Sequence, residues 1–368
     1  MRYILPFLII TSFFSAKAQQ GDNYTLPVDG KSDLFNYMSQ PFIEDGNHKL
    51  AMFSTNENAL LIYNLEERKI ERKVIYDKLG PNKLTNMYMH GSLKYINQDS
   101  IFYYDVQIGR GVLSDIEGNV YHRFITKNGI YAYGSHNFIK SMAYRNKKAY
   151  MQSWPKAVGP NAVKDHKSAP NKIAIIDITD GSVEEVLFDF PAVYKDRDLS
   201  QILKDLDIVY NPHTDKFVIS FPFSHYLFET DFKGYTKKHL AKSDLVQEAV
   251  DMEDYKARIS ATSLVSYTDW ISDKYENLVF DPQSGYYFRL ARKHISEENF
   301  SERDFTTEKE VLIFDESLKH VKTIKHHGGV WLYHFVIGDY IYWNKNMSIH
   351  NLDAGNEDTF FFERVKFK

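Results

Sequence analysis

The chain has 368 residues, with 45 Lys and Arg against 49 Asp and Glu, and a formal net charge of −4. A charge of this size, spread along the chain, excludes the basic patch on which nucleic-acid binding depends. The sequence contains no cysteine, which excludes a disulfide framework, a thiolate metal site and a cysteine nucleophile. Tyr and Phe number 26 each, and such residues are favoured on the half-buried faces of β-sheets.

The first 18 residues have the pattern of a secretory signal. Arg2 supplies the positive start, residues 4–14 are apolar, and residues 16–18 (AKA) form a small-x-small cleavage site. The apolar stretch is shorter than the ~20 residues that a membrane-spanning helix needs. We therefore predict export to the periplasm or the cell surface, cleavage before Gln19, and a mature chain without a transmembrane span. An uncleaved N-terminal membrane anchor is the alternative.

A strand candidate at residues 24–28 is followed by six repeated units. In each unit an apolar run ends in an Asn- or Asp-led turn and a second strand-like run follows, as in AIIDITDGSVEEVLF from Ala174. This is the pattern of a β-hairpin. The other copies begin at Ile62, Val112, Phe228, Leu312 and Ser348. A second predicted hairpin precedes each copy, with turns at 44–49, 96–101, 144–149, 211–216, 281–286 and 336–341.

Two hairpins per unit predict a four-stranded antiparallel sheet, and six units predict an all-β, six-bladed β-propeller. Because each blade buries its apolar faces against its neighbours, residues 19–368 are expected to form one closed domain. The predicted blades cover residues 34–78, 85–127, 130–192, 200–241, 265–327 and 330–368. The strand at 24–28 is expected to pair with the last blade, which would cover an otherwise exposed sheet edge.

Four insertions interrupt this regularity. Residues 196–206 and 242–262 predict short helices, the second with Ser243 as a candidate N-cap. Residues 155–169 and the charged segment 297–310 are predicted to be loops. Loops on a rigid scaffold can shape a binding face, and solvated decoration of the ring is the alternative.

The tripeptide Gly-Pro-Asn occurs at 80–82 and again at 159–161. With the upstream stretch from residue 50 to 84, the first copy resembles the domain of unknown function 4221 family, in which a "YDL…K…EGPNG"-like segment recurs. The resemblance is clearest over residues 26–130 and implies an exported six-bladed propeller of Gram-negative bacteria. This chain has Leu79 and Lys83 where the segment has Glu and Gly, and it lacks the cysteine that lipid-anchored members carry. The family supplies no catalytic residues to transfer.

The predicted inner strands, which line the channel of a propeller, are poor in acids. Glu44, Asp207 and Asp281 are the exceptions, each at a strand end or turn, whereas acid–base catalysis requires paired carboxylates or a poised His. Nucleophile-elbow, P-loop and GxGxxG motifs are absent. Adjacent His326 and His327 would point to opposite faces of a regular strand. The sequence therefore predicts neither a catalytic site, nor a metal site, nor a cofactor.

Aromatic and imidazole residues precede several predicted inner strands and are expected to rim one mouth of the channel. Such groups stack on sugars or peptides and offer polar tips for hydrogen bonds. The candidate ligand-binding residues are Tyr88, His90, His136, Tyr267, Trp270, His327 and Trp331. Ordinary core packing is the alternative for each of them.

The sequence favours a non-catalytic binding or scaffold propeller of the bacterial envelope, which recognises a glycan, peptide or partner protein on one face. Export, a rigid ring and the aromatic rim support this interpretation. One alternative is a hydrolase or lyase that acts on an extracellular sugar or lactone with carboxylates from loops. Another is a sensor or assembly component without a small ligand.

Overall fold

In the computed structural model the chain folds as a six-bladed β-propeller of four-stranded antiparallel sheets. The structure describes residues 23–29, 37–54, 57–84, 91–105, 109–126, 142–153, 172–194, 206–246, 272–296, 298–299, 302, 304, 306–328, 334–344 and 359–368. Strands are numbered in chain order, and in blades one to five the first strand of each sheet lies nearest the axis. The fold class predicted from the repeats is confirmed.

The first three blades follow one another along the chain. Blade one consists of β2 (Tyr37–Glu44), β3 (Asn47–Ser54), β4 (Ala59–Asn64) and β5 (Lys69–Ile75). Blade two consists of β6 (Gly91–Asn97), β7 (Ser100–Asp105), β8 (Arg110–Ser114) and β9 (Val120–Ile125). Blade three consists of β10 (Ala143–Arg145), β11 (Lys148–Ser153), β12 (Lys172–Asp177) and β13 (Val183–Leu187), followed by a 3-10 turn at Ala192–Tyr194.

The remaining blades complete the ring. Blade four consists of β14 (Asp207–Asn211), β15 (Lys216–Ser220), β16 (Tyr226–Thr230) and β17 (Thr236–Leu240). Blade five consists of β18 (Lys274–Asp281), β19 (Tyr286–Arg292), β20 (Thr307–Phe314) and β21 (His320–Gly328). Blade six combines β22 (His334–Ile337), β23 (Tyr340–Asn344) and β24 (Thr359–Lys366) with the N-terminal β1 (Asn23–Pro27).

Three of the outer hairpins share one turn chemistry, which helps to explain why the repeat can be recognised in the sequence. The carboxylate of Asp115 accepts backbone N–H groups of residues 117 and 119, both at 2.9 Å. Asp231 and Asp315 accept the equivalent pairs from the residues two and four positions further on. An Asp side chain that bonds to its own turn in this way fixes the reversal between two strands.

Ring closure confirms one prediction and corrects another. β1 pairs antiparallel with β24 from Asn23 opposite Glu363 to Pro27 opposite Thr359, and so forms the outermost strand of blade six. The run that starts at Thr359 was predicted to be an outer strand, but it is the third strand, paired on its other side with β23. The outer position is already filled by the N-terminus. The first half of that predicted hairpin, from Ser348, lies outside the described residues.

The seam between blades six and one is packed with apolar side chains. Tyr24, Leu26 and Val28 are buried among Leu61, Tyr63 and the aromatic residues of blade six. The Tyr24 hydroxyl donates to the carbonyl of Leu65, and the Tyr63 hydroxyl donates to the carbonyl of Pro27 at 3.0 Å. The N-terminal strand is therefore attached to both blades that meet at the seam.

Between blades, the end of one outer strand packs against the outer turn of the next. A Cβ built on Gly118, whose φ is +86°, would lie 2.8 Å from the carbonyl oxygen of Ile75. A Cβ on Gly181, whose φ is +74°, would lie 2.5 Å from the ring of Phe124. Glycine is needed at both turns because of the left-handed backbone and because of the close approach.

The Gly-Pro-Asn turn at 80–82 also joins two blades. The side-chain oxygen of Asn82 accepts the backbone N–H of Val120 at 3.2 Å, and the Arg123 guanidinium donates to the carbonyls of Pro81 and Lys83 at 2.6 and 2.5 Å. The turn therefore rests on β9, the outer strand of blade two. The second copy, at 159–161, lies outside the described residues.

The predicted insertions are only partly visible. The loop predicted over 297–310 is shorter than expected, because β20 already begins at Thr307. The predicted loop at 155–169 lies outside the described residues. Of the two predicted helical segments, the structure describes only the last residue of 196–206 and residues 242–246 of 242–262. Ser243 does accept the backbone N–H of Leu245 at 3.0 Å.

Candidate functional site

One of the seven predicted rim residues, His327, falls within the described part of the chain. It is exposed, lies near the end of the outermost strand of blade five, and pairs with Glu308. The other six, Tyr88, His90, His136, Tyr267, Trp270 and Trp331, lie outside the described residues. Their convergence at the channel mouth therefore stays a prediction.

Two polar side chains on inner strands bond to the backbone of the neighbouring inner strand. The Gln40 amide on β2 accepts the backbone N–H of Tyr95 at 2.6 Å and donates to the carbonyl of the same residue at 3.2 Å. The carboxylate of Asp207 on β14 accepts the backbone N–H of Leu278 on β18 at 3.2 Å. Both contacts tie adjacent blades together beside the channel.

Asp207 is the most perturbed carboxyl among the inner-strand acids. Burial raises its pKa to about 6, and the nearby Glu276 adds to this effect, while the Leu278 N–H, Lys274 and Arg289 act in the opposite direction. A carboxyl whose pKa lies near neutrality can exchange a proton under physiological conditions. This property makes Asp207 the first member of a candidate site.

The other two acids singled out in the sequence have structural partners. Glu44 accepts the hydroxyl of Tyr95 at 2.5 Å and lies 3.9 Å from the Lys49 ammonium. Asp281 accepts the backbone N–H of Ser284 at 2.8 Å within its hairpin turn. Their local roles are to join two inner strands and to shape a turn, respectively.

A β-bulge at Asn277 sets the register of the inner strand of blade five. The pairing shifts between Glu276 and Leu278, and Asn277 has a φ of +54°. The extra residue places Lys274 opposite Arg292. Bulges of this kind re-aim side chains and are frequent beside functional sites.

We use the name cation row for four basic residues that lie in register across blade five: Lys274, Arg292, Lys309 and His326. Side chains directly opposite each other in antiparallel strands share one face of the sheet. Three members of the row, all but His326, are at most 3% exposed. Like charges at such positions are destabilising unless they are balanced.

Carboxylates on both sides contribute to balancing this charge. Glu276 lies 3.3 Å from the Lys274 ammonium and 3.2 Å from Nε of Arg292. Burial opposes its ionisation, but the two cations outweigh burial and lower the pKa of Glu276 below its usual value. From blade six, Glu363 on β24 lies 3.5 Å from Nε2 of His326.

Lys309, in the centre of the cation row, is buried to 1% exposure. Its ammonium donates to the carbonyl of Gly328, the last residue of β21, at 2.9 Å. Burial lowers the pKa of Lys309 to about 7, Arg292 contributes in the same direction, and Glu276 and Glu363 oppose it. Lys309 and Asp207 therefore both titrate near neutrality in one cluster.

The sequence pattern singled out Asp207 as an acid on an inner strand and His326 as one of two adjacent histidines. It gave no reason to single out Lys274, Arg292 and Lys309. The detectable signal was a basic residue near the mouth-side end of three successive strands of blade five. Among the residues that the structure describes, no group of three or more His, Asp or Glu side chains is arranged to hold a metal ion.

The sequence profile described as domain of unknown function (DUF4221) matches residues 19–323. The chain belongs to the DUF4221 family. A solved DUF4221 member from Bacteroides vulgatus is 16% identical, with 94% of this chain and 97% of that chain covered and a TM-score of 0.73. The family assignment made from the Gly-Pro-Asn segment is therefore confirmed.

Two other solved structures are similar to this DUF4221 chain at lower identity. An exported-protein candidate from Bacteroides fragilis is 10% identical, with 95% of this chain and 96% of that chain covered and a TM-score of 0.57. A luciferin-regenerating enzyme is 8% identical, with 94% and 95% covered and a TM-score of 0.46. At 10% identity the likeness to the Bacteroides fragilis protein shows the fold alone. No curated protein matches the chain.

Within its described residues, the structure contains no helix that is both long and apolar enough to cross a membrane.

Proposed function

We propose that this DUF4221 protein is an exported binding or scaffold propeller of the bacterial envelope, which recognises a glycan, peptide or partner protein at one mouth of its channel. The observation that carries the proposal is the cluster formed by Asp207 and Glu276 on two neighbouring inner strands and by the cation row, which runs across blade five. Charged groups held by neighbouring strands are pre-organised, so that little ordering is needed when a ligand binds.

The internal bonding of the cluster supports binding rather than turnover. Glu276 is engaged by two cations, and Asp207 accepts a backbone N–H. Its two cations lower the pKa of Glu276, which is therefore fixed in position and is a weaker proton acceptor than a free carboxylate. The predicted aromatic rim, with Trp270 and Trp331, would supply the apolar contact surface.

A hydrolase or lyase that acts on an extracellular sugar or lactone is the second candidate. It is favoured by one observation: the pKa values of Asp207 and Lys309 both lie near neutrality, at about 6 and about 7. General acids and bases work best with pKa values close to the operating pH. Asp207 would then be the first residue to test for proton transfer.

The test is a screen of the purified chain, residues 19–368, against glycan and peptide arrays, followed by product analysis of each captured ligand. The binding proposal expects capture without chemical change. Turnover that falls at least about a hundredfold in Asp207→Asn, within the range attributed to a general acid or base, would favour the enzyme instead. A protein that captures nothing on either array would contradict the binding proposal.

A further inference from the structure

Lys94, on the inner strand of blade two, occupies a position that is apolar in the other five blades. Counted from the turn of the inner hairpin, it is the third paired residue of β6 and lies opposite Phe102. The residues at the third pair of the other inner strands are Phe42, Ala143, Val209, Val279 and Phe335. Four of these five pack in the apolar cluster between their own blade and the next one. The fold therefore uses this position for apolar packing, and Lys94 is the exception.

Solvent reaches Lys94 from the channel side. Lys94, Phe102 and Leu113 lie in register across blade two and so share one face of its sheet. Phe102 and Leu113 are 0% and 5% exposed and pack against blade three, whereas Lys94 is partly exposed at the inner end of this row. Because β6 is the strand of its blade nearest the axis and the row is buried further out, the exposed part of Lys94 faces the channel.

The ammonium of Lys94 carries a charge that the described part of the chain does not balance. It forms no hydrogen bond and no ion pair with any residue that the structure describes. Burial lowers the pKa of Lys94 to about 8 and is the only cause of this shift, so neither Asp207 nor Glu276 lies close enough to act on it. A charge removed from water without a partner is costly, and an apolar side chain would avoid that cost. Packing gives no reason for a lysine here, whereas the binding of an anion does.

Apolar side chains of both neighbouring blades lie next to this cation. Phe42, on the inner strand of blade one, stacks on Tyr95, the residue after Lys94, with 4.1 Å between the ring centroids. Met142, just before the inner strand of blade three, packs against the cluster that contains Phe102. Both Phe42 and Met142 are partly exposed. One charged group among apolar walls is the usual composition of a small-molecule site.

We propose that the channel wall at Lys94 binds a small apolar carboxylate, whose charge pairs with the ammonium and whose apolar body contacts Phe42 and Met142. A carboxylate forms charge-assisted hydrogen bonds with an ammonium group. One ammonium balances one negative charge, whereas a phosphate monoester would bring a second charge without a partner. The site is separate from Asp207, Glu276 and the cation row, and its ligand differs from the glycan, peptide or protein of the proposed function.

The test is a ligand-observed NMR titration of the purified chain with octanoate, with octanamide as the uncharged counterpart and acetate as the counterpart without an apolar body. We expect octanamide and acetate each to bind at least about tenfold more weakly than octanoate, because each lacks one of the two contacts. Lys94→Met should lose octanoate affinity to the same extent and keep its octanamide affinity. This variant should fold, because apolar side chains fill the position in the other five blades.

Lys237→Met is the matched control. Lys237 lies at the exposed outer end of the equivalent row of blade four, the row that begins with Val209 at the channel. An exposed charge on the outermost strand is screened by salt, so the octanoate affinity of this variant should stay within about twofold of the unmodified chain.

The pH dependence of the unmodified chain is a second readout that needs no variant. Octanoate is fully ionised above pH 7, but Lys94 loses its proton as pH rises through its pKa of about 8. Octanoate affinity should therefore fall by about five- to twentyfold between pH 7.5 and 9.5, while octanamide affinity stays constant. Lys94→Met should show no such fall.

Each outcome tests the site at Lys94 separately from the proposed function. Equal affinity for octanoate and octanamide, or an unchanged octanoate affinity in Lys94→Met, would overturn the role of the ammonium. Acetate binding as tight as that of octanoate would overturn the apolar contact, and tighter binding of octyl phosphate would overturn the assignment to a carboxylate. Absence of octanoate binding would overturn the site itself, while the glycan and peptide screen would still decide the proposed function.

Discussion

The carboxylate of Asp207 lies 3.2 Å from the backbone nitrogen of Leu278 and accepts its N–H across the junction of blades four and five. Gln40 makes the corresponding contact with Tyr95 between blades one and two. Asp207 and Gln40 occupy matching positions of their inner strands, four residues before the last residue of the strand. The side chain at this strand position therefore joins two neighbouring blades, and in blade four that side chain, Asp207, is also titratable.

The raised pKa of Asp207 predicts how stability depends on pH. Its folded value, about 6, lies above its unfolded value near 3.8, so the folded chain binds the proton more tightly and stability is lost as pH rises from 4 through 6. Asp207→Asn should therefore match the unmodified chain at pH 4 and exceed its free energy of unfolding by about 2–3 kcal/mol at pH 8. Urea unfolding at both values measures this, and equal pH profiles would contradict it.

Lys309 predicts the opposite slope at higher pH. Its folded pKa of about 7 lies below its unfolded value of 10.5, so the unfolded chain binds more protons between these values and this group contributes a rise in stability from pH 7 towards 10. Lys309→Met should be more stable than the unmodified chain by about 4–5 kcal/mol at pH 6, with a difference that shrinks towards pH 10. A pH-independent difference would contradict the assigned pKa.

Because β1 closes the ring, truncation of a buried side chain in this strand should lower the free energy of unfolding by a large amount. Leu26 is fully buried in the seam, so Leu26→Ala should lower the free energy of unfolding by about 2–5 kcal/mol. Ile75→Ala is the control, because Ile75 is 66% exposed and its truncation should cost no more than about 0.5 kcal/mol. Equal losses in denaturant unfolding would mean that β1 does not hold the ring closed.

Gly80 and Gly118 have similar positive φ angles but different surroundings. Alanine variants of the two can therefore separate the cost of backbone strain from the cost of a steric clash. Gly80 has a φ of +93° with nothing within 4 Å of its added Cβ, whereas Gly118 has a φ of +86° with the Ile75 oxygen 2.8 Å away. Both alanine variants carry the backbone strain, and Gly118→Ala should lose a further ~1–3 kcal/mol from the clash. Thermal and denaturant unfolding of the pair measure the difference, and equal losses would remove the interblade contact from the explanation.

Local chemistry explains how much of the fold the sequence predicts. The turns at Asp115, Asp231 and Asp315 are set by hydrogen bonds within four or five residues, so their signal is visible in the printed sequence. The strand at the N-terminus could be assigned to the last blade because an open edge requires a partner. Either this strand or the C-terminal run from Thr359 could have formed the outermost strand of blade six. Sequence patterns do not decide between the two.

The candidate site was harder to predict because its members are distant in sequence. Lys274 meets Arg292 only because the bulge at Asn277 shifts the pairing by one residue; without it, Lys274 would lie opposite Lys293. Glu363 joins from another blade through the packing of blades five and six. Neither the bulge nor this packing leaves a local pattern, whereas the acid at Asp207 was visible as an exception among acid-poor inner strands.

The binding role at the channel mouth is tested most directly by the alanine variants of Trp270 and Trp331, compared with the unmodified chain for ligand affinity and melting temperature. If the two residues anchor a ligand, each variant should lose about 1–3 kcal/mol of binding free energy while its melting temperature and cooperativity are retained. A large drop in melting temperature, equivalent to about 3–5 kcal/mol of stability, with unchanged ligand affinity would show that both side chains are ordinary core and would contradict a ligand-binding rim.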